Sequence, residues 1–492
     1  MRQKGAYTNT RFTHLAVSLF FMFAFGWICP TWGEVTRQGV QAIGIFIGGT
    51  WMIANRFGMI APSLLIMFAM VLTGYSSGDE IVSSSLGSPI VWQLIAIFVL
   101  VFAVSDTGAD AVLARWMISR KTLNGHPALF ATVFFLAVAT MSALASGLGA
   151  FLFAMAMVDS IAKTAGFEDR SQWKKAMYLG SVVSASIGGA VIPFKGLPMM
   201  VYSLMDSGLS QAGIRIDQMS YMASAIFAVV LVAIVFGLSM GPLFKAHPER
   251  LKSIDIASIA AGRQAAFTKR QTCALGLFLL GFLYPIATMC LPSGIPGLEI
   301  FSSIGQGTWF ALIGVIMFFV HIDGKPLLEM DKAVGSAVQW GIIFAVCAFT
   351  SIGGMIADES LGVQGWLSDI MGAALGSMPF PVFIVCLVLF TLVLTNVFSN
   401  TATAVIVGTI IGPQLITYSL QLGINVSCII PGIVVSACAA FLTMAAGGMA
   451  PVFLGSDAMK DSQRWVFTWG LLAIPIITVA SSVVYLATSY LL

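Results

Sequence analysis

The chain has 492 residues, of which 58% are hydrophobic and only 9% charged, with a mean hydropathy of +0.94. Soluble domains carry about 25% charged residues, so this composition excludes a water-soluble enzyme and requires a surface that mostly faces lipid. A net charge of +3 is too small and too scattered to attract nucleic acid.

The first apolar run, Phe12 to Trp32, exceeds a secretory h-region of roughly 7–15 residues and precedes no clear Ala-x-Ala site. It reads as an uncleaved helix. A bilayer core needs about 20 apolar residues per spanning helix. Further candidates fall at 37–55, 57–75, 88–108, 173–206, 220–244, 268–291, 304–321, 335–357, 427–455 and 465–490. Two more apolar stretches, 127–164 and 380–417, are interrupted by Ser142-Ala-Leu-Ala-Ser-Gly147 and Thr395-Asn-Val-Phe-Ser-Asn-Thr401. Each could be one long helix or a hairpin that enters and leaves on the same side.

The basic residues decide. Short Lys/Arg-rich loops stay in the cytoplasm. With the N-terminus inside and both stretches re-entrant, 21 of the 24 basic residues are cytoplasmic, Arg37 and Arg215 lie outside, and only Lys195 sits within a membrane segment. The expectation is an all-α inner-membrane protein with about eleven spanning segments, two hairpins and the C-terminus outside. A basic linker, 245–270, divides a first half, 1–244, from a second of opposite orientation, 271–492. Each half carries a hairpin and then a long segment broken by Gly and Pro, at 188–198 and 445–451. Paired interruptions of this kind point to the substrate site of a transporter. Nothing resembles a phosphate-cradling loop or an HExxH metal motif, and the four histidines lack ligand-like spacing.

At the second hairpin, Ser399-Asn400-Thr401 followed by Ala-Thr-Ala resembles the divalent anion/sodium symporter family, whose hallmark is Ser-Asn-Thr at each hairpin tip. As a pattern of segments, the resemblance spans nearly the whole chain. It implies an elevator-type homodimer, with Thr395, Phe398 (backbone), Asn400 and the backbone near Ala446 around one sodium. Ser399, Asn400 and Thr401 would also touch a small organic anion, with Gly447 and Gly196 close by. Small hydroxyl and amide groups suit both tasks, as oxygens for the cation and donors for a carboxylate.

The first half departs from this pattern. Ser142 and Ser146 fall on the family's serines, but Gly147 and Leu148 replace Asn and Thr. Lys195 falls where the family has a sodium-holding glycine: it follows Ser146 by 49 residues, as Ala446 follows Ser399 by 47. A charged residue near the bilayer centre is a functional hypothesis by default. The Lys195 ammonium is expected to occupy this lost sodium site or to reach past it to the substrate. The second broken segment reads Gly447-Gly-Met-Ala450 where the family has Thr-Pro-Pro-Asn, which puts the usual C4-dicarboxylate selectivity in question. Alternatives are sodium-coupled transport of sulfate, a sulfonate or a tricarboxylate, or a cation/proton antiporter using Asp159 or Asp106. Asp106 is expected to be interfacial or a local cap, and Asp159 to pair with Lys163. Sodium is the candidate coupling ion, no other cofactor is implied, and the partners expected are lipid, the anion and a second copy.

Overall fold

The computed structural model describes residues 9–492 except 212, 256–258, 260–265, 282, 285–287, 289–297, 367–368, 371–377, 399, 444–448 and 460–461. α1 (Asn9–Phe20) continues through a π turn to Ile28, and α2 (Arg37–Ala54) and α3 (Ile60–Leu72) follow. Thr36 starts α2 by accepting the Gly39 N–H. Arg37 donates back to the carbonyls of Gly26 and Cys29 at 3.1 and 2.5 Å, which ties the α1–α2 turn.

A short α4 (Gly78–Ser85) carries no apolar run and escaped the hydropathy reading. Its start is set by a capping box between Ser77 and Glu80. α5 (Pro89–Thr107) opens with proline at its first position and stops at Gly108, whose φ of +68° only glycine adopts readily. α6 (Ala109–Ile118) then runs off in a new direction.

The first interrupted stretch is two helices, α7 (Pro127–Leu144) and α8 (Gly147–Thr164), joined by two residues and packed together. The first broken segment is α9 (Gln172–Gly188), eight non-helical residues, then α10 (Leu197–Gln211). α11 (Gln218–Ser239) packs back on α7. After the linker come α12 (Lys269–Gly281), α13 (Leu298–Ser303) and α14 (Gln306–Phe319).

The all-α expectation needs one small correction. His321–Ile322 pairs antiparallel with Lys325–Pro326 across Asp323-Gly324, both at positive φ. Asp-Gly is the favoured pair for such a two-residue turn, so the signal was present in the sequence.

α15 (Met330–Ser336) and α16 (Trp340–Ala357) follow. The second interrupted stretch is again two helices in contact, α17 (Phe380–Val397) and α18 (Asn400–Leu422). The second broken segment is α19 (Ile430–Cys438) and α20 (Ala450–Leu454), and α21 (Gln463–Leu491) ends the chain. Eight of the described helices are long and apolar enough to cross a membrane, which makes this a multi-pass membrane protein. Large side chains such as Phe227, Leu389, Phe390 and Val479 lie exposed on them, as a lipid-facing surface requires.

Each broken helix is gripped by its hairpin. α9 packs on α7 and α8, and α19 on α17. Backbones come close where glycine allows it: a Cβ on Gly188 would lie 2.4 Å from the Ala139 carbonyl oxygen of α7. Gly188→Ala is therefore expected to cost about 1–3 kcal/mol of stability, read by thermal unfolding in detergent. Gly276→Ala, with open space around it, serves as the control that leaves the transition in place.

Two acids found lysine partners. Asp106 pairs at 2.7 Å with Lys332 on α15, which joins the ends of two segments far apart in sequence. Asp159 pairs at 2.7 Å with the buried Lys174 and accepts the Tyr178 hydroxyl at 2.7 Å. The partner is thus Lys174 of α9 rather than the sequence neighbour Lys163, because α9 folds back along α8.

Candidate functional site

The last four carbonyls of any helix lack intrahelical donors. In α7 the helix ends at Leu144, and Ala145 leaves helical geometry (φ −136°, ψ −106°). Ser146 is extended and caps α8, its hydroxyl accepting the Gly149 N–H at 3.4 Å. Into this turn, from the break between α9 and α10, comes Lys195. Its Nζ donates to the carbonyl oxygens of Ser142 and Ala143 at 3.0 Å each and of Ala145 at 2.5 Å.

An ammonium has three donors, and all three are spent on backbone oxygen. The negative end of the α7 dipole adds to the attraction. Three carbonyls closing on one positive centre is how backbone strips and replaces the hydration shell of a metal cation. Gly196 follows at φ +55°, the left-handed turn that swings the chain into α10.

A cavity of about 220 Å³ adjoins this centre, and Ser142, Ser146, Gly147, Lys195, Gly196 and Asn400 all line it. Six of the residues singled out in the sequence, from both hairpins and one break, therefore meet at one place. Gly147 has a steric reason to be glycine. A Cβ there would sit 3.2 Å from the Met449 Cε and 3.3 Å from both the Ala185 oxygen and the Ser142 Oγ, leaving little space for an asparagine.

The second hairpin is held differently. Thr395 Oγ1 donates to the Ala437 carbonyl at 2.5 Å and lies 3.2 Å from Asn400 Oδ1. Asn400 Nδ2 reaches the Cys438 carbonyl at 3.4 Å. These neutral oxygens, two side-chain and two backbone, form a donor set of the kind hard cations take. Phe398 is extended, its N–H bound to the Leu394 carbonyl at 2.8 Å. Thr401 is half-buried in the first turn of α18 and is not part of the cavity lining. Ser399, Ala446 and Gly447 lie outside the described residues.

The two hairpins make the same kind of bond. Ser142 Oγ donates to the Ala185 carbonyl, 43 residues on, and Thr395 Oγ1 to the Ala437 carbonyl, 42 residues on, both at 2.5 Å. In each case the last turn of a hairpin helix is locked to the last turn of the broken helix.

Three neighbours escaped the sequence reading. Asn396 is 3% exposed and uses its whole amide. Nδ2 donates to the carbonyls of Leu392 and Ala439, and Oδ1 accepts the N–H groups of Phe441 and Leu442. Gln339, which precedes α16, and Ser186, in the last turn of α9, also line the cavity. A lone polar residue at the edge of an apolar run gave no period or motif that could have marked either. Among the described residues no group of three His, Cys, Asp or Glu side chains is placed to hold a metal ion.

Residues 50–421 match the family model of the citrate transporters (CitMHS). The chain is 23% identical over 460 residues to the sodium-dependent dicarboxylate transporter SdcS of Staphylococcus saprophyticus, a match that covers 89% of this chain and 84% of that protein. The crystal structure of the Alcanivorax borkumensis YdaH transporter superposes with a TM-score of 0.53 at 15% identity, covering 82% of this chain and 86% of that one. At that identity the likeness speaks to fold alone. The chain belongs to the citrate transporter family, in keeping with the divalent anion/sodium symporter resemblance of its hairpin tip.

Proposed function

We propose that this protein carries a small organic anion across the inner membrane, with Lys195 as a built-in cation in place of one coupling sodium. The observation that carries the reading is the Lys195 ammonium, held by three hairpin carbonyls at 2.5–3.0 Å. Of the two roles open to this side chain, occupying the cation position is favoured over reaching to the substrate, because no N–H is left for a carboxylate. Its charge still acts across the adjoining cavity.

The anion binds in that cavity, between the two hairpin turns. Ser146 and Gly196 contact it from one side and Asn400 from the other; the family resemblance also assigns Ser399 and Gly447 to the anion. A cavity of about 220 Å³ is below the roughly 300–1,000 Å³ of drug-sized pockets and suits a C4-dicarboxylate. Citrate is the second candidate, supported by the family's description. A single sodium remains, on Thr395, Phe398, Asn400 and Ala446.

The architecture in this reading is eleven spans with the N-terminus cytoplasmic and two inverted halves, whose matching hairpin bonds support the symmetry. In a homodimer, the hairpins and broken helices move as an elevator against the remaining helices. Asp106 and Asp159 each pair with a lysine and neither lines the cavity, so neither acid of the antiporter reading is at the site. Uptake of labelled succinate and citrate into proteoliposomes tests the reading. Rapid uptake into vesicles preloaded with unlabelled anion, and slow uptake into empty ones, is expected. No uptake of either anion under any gradient would overturn it.

A further inference from the structure

Ser186 is 3% exposed, lines the same cavity as Lys195, and its hydroxyl makes no hydrogen bond. Helical serines usually donate back to a carbonyl one turn earlier, as Ser181 does to Met177 at 2.6 Å. Buried polar atoms almost always have a partner. An unpaired hydroxyl at a cavity wall is therefore a group waiting for a ligand.

The local charge says which kind. The Lys195 ammonium and the N-terminus of the 18-residue α8 both stand at the cavity wall, whereas buried Asp110, the acid that attracts Lys195, does not line it, so the cavity itself favours an anion over a second cation. That anion needs donors, and the Lys195 donors are already spent. We infer that the Ser186 hydroxyl donates a hydrogen bond to a carboxylate oxygen of the transported anion and so sets its affinity. The inference rests on the anion-carrier reading and adds a binding residue to it.

The test compares the wild type with Ser186→Ala and with Ser482→Ala. Ser482 is 1% exposed and its hydroxyl is also unpaired, but it lies on α21 away from this cavity. Ser186→Ala is expected to raise the half-saturation constant for succinate exchange about tenfold, the loss of one hydrogen bond to a charged group. The maximal rate should stay within about twofold. Removing an unpaired buried hydroxyl should leave the melting temperature of the anion-free protein unchanged or higher, while the upward shift caused by succinate shrinks. Ser482→Ala should change neither. Should Ser186→Ala fold poorly, the near-isosteric Ser186→Cys, a weaker donor, is expected to raise the constant by a smaller factor. Unchanged half-saturation in the folded Ser186 variant, with the wild type active, overturns this inference alone. A wild type that moves neither succinate nor citrate overturns the anion-carrier reading beneath it.

Discussion

Lys195→Met is expected to cut sodium-independent anion exchange about 100-fold without lowering the yield of folded protein. Hydrogen bonds to a charged group contribute about 1.5–3 kcal/mol each. Lys195 makes three, and such terms do not add fully. A net loss near 2.7 kcal/mol corresponds to two decades. Folding should survive because the substitution also removes an ammonium whose membrane insertion costs about 2.5–3.5 kcal/mol. Lys195→Gly goes further, since it frees the carbonyls of Ser142, Ala143 and Ala145 for an outside cation. Part of the lost activity is expected to return at high sodium in that variant and to stay absent in choline. Full activity of either variant in sodium-free medium would show that the ammonium has no part in coupling. Gly147→Asn alone should bring back no sodium dependence, because the lysine still fills the position and Met449 and Ala185 crowd the new side chain.

The largest loss of stability is expected at Asn396. Its side chain binds two carbonyls and two N–H groups, and one of these partners is on its own helix while three are beyond the end of α19. Asn396→Leu keeps the branched heavy-atom skeleton but strands the N–H groups of Phe441 and Leu442 and the Ala439 carbonyl. Each stranded buried group costs about 1–3 kcal/mol, so a loss of about 3–5 kcal/mol is expected. Thermal unfolding of the purified protein measures it. Thr391→Val, which removes a buried bond to the Leu387 carbonyl within one helix, should cost far less. Equal transitions for the two variants would mean that the non-helical backbone after α19 is held by something other than Asn396.

The difference between these residues explains what the sequence could and could not show. Hydropathy and its small polar interruptions located both helix pairs and the first broken segment, since lipid tolerates non-helical backbone only where protein satisfies it. Lys195 stood out for a related reason: it is the one basic residue that the expected topology leaves within a membrane segment. Its geometry could not be read in advance. Whether the side chain met carbonyls or substrate depended on how the 189–196 break lies against the turn after α7, a contact across 50 residues. Asn396 was inside the quoted hairpin motif, yet nothing separated it from Asn400, because both are amides in one short run. Their fates differ by which side of the turn they occupy. The partner of Asp159 was misplaced because proximity in sequence favoured Lys163, whereas packing of α9 on α8 brought Lys174 closer. Short elements such as α4 and the Asp323-Gly324 hairpin depend on caps and turn chemistry, which a search for apolar runs does not weigh.

Charge balance links the site to coupling. A dicarboxylate brings two negative charges, and a carrier crosses the membrane most readily when bound cations neutralise them. With a fixed ammonium at Lys195, a loaded carrier needs fewer sodium ions, while the empty carrier keeps an unbalanced charge that hinders its return. On the proposed function, exchange of one anion for another is the expected outcome, with sodium demand confined to the Thr395 and Asn400 side of the site.

The most direct measurement is the ratio of radioactive sodium to radiolabelled succinate entering wild-type proteoliposomes under a sodium gradient. The account predicts at most one sodium per anion, with exchange persisting in choline. Two or more sodium ions per anion, with no exchange in their absence, would contradict it and return Lys195 to a structural role.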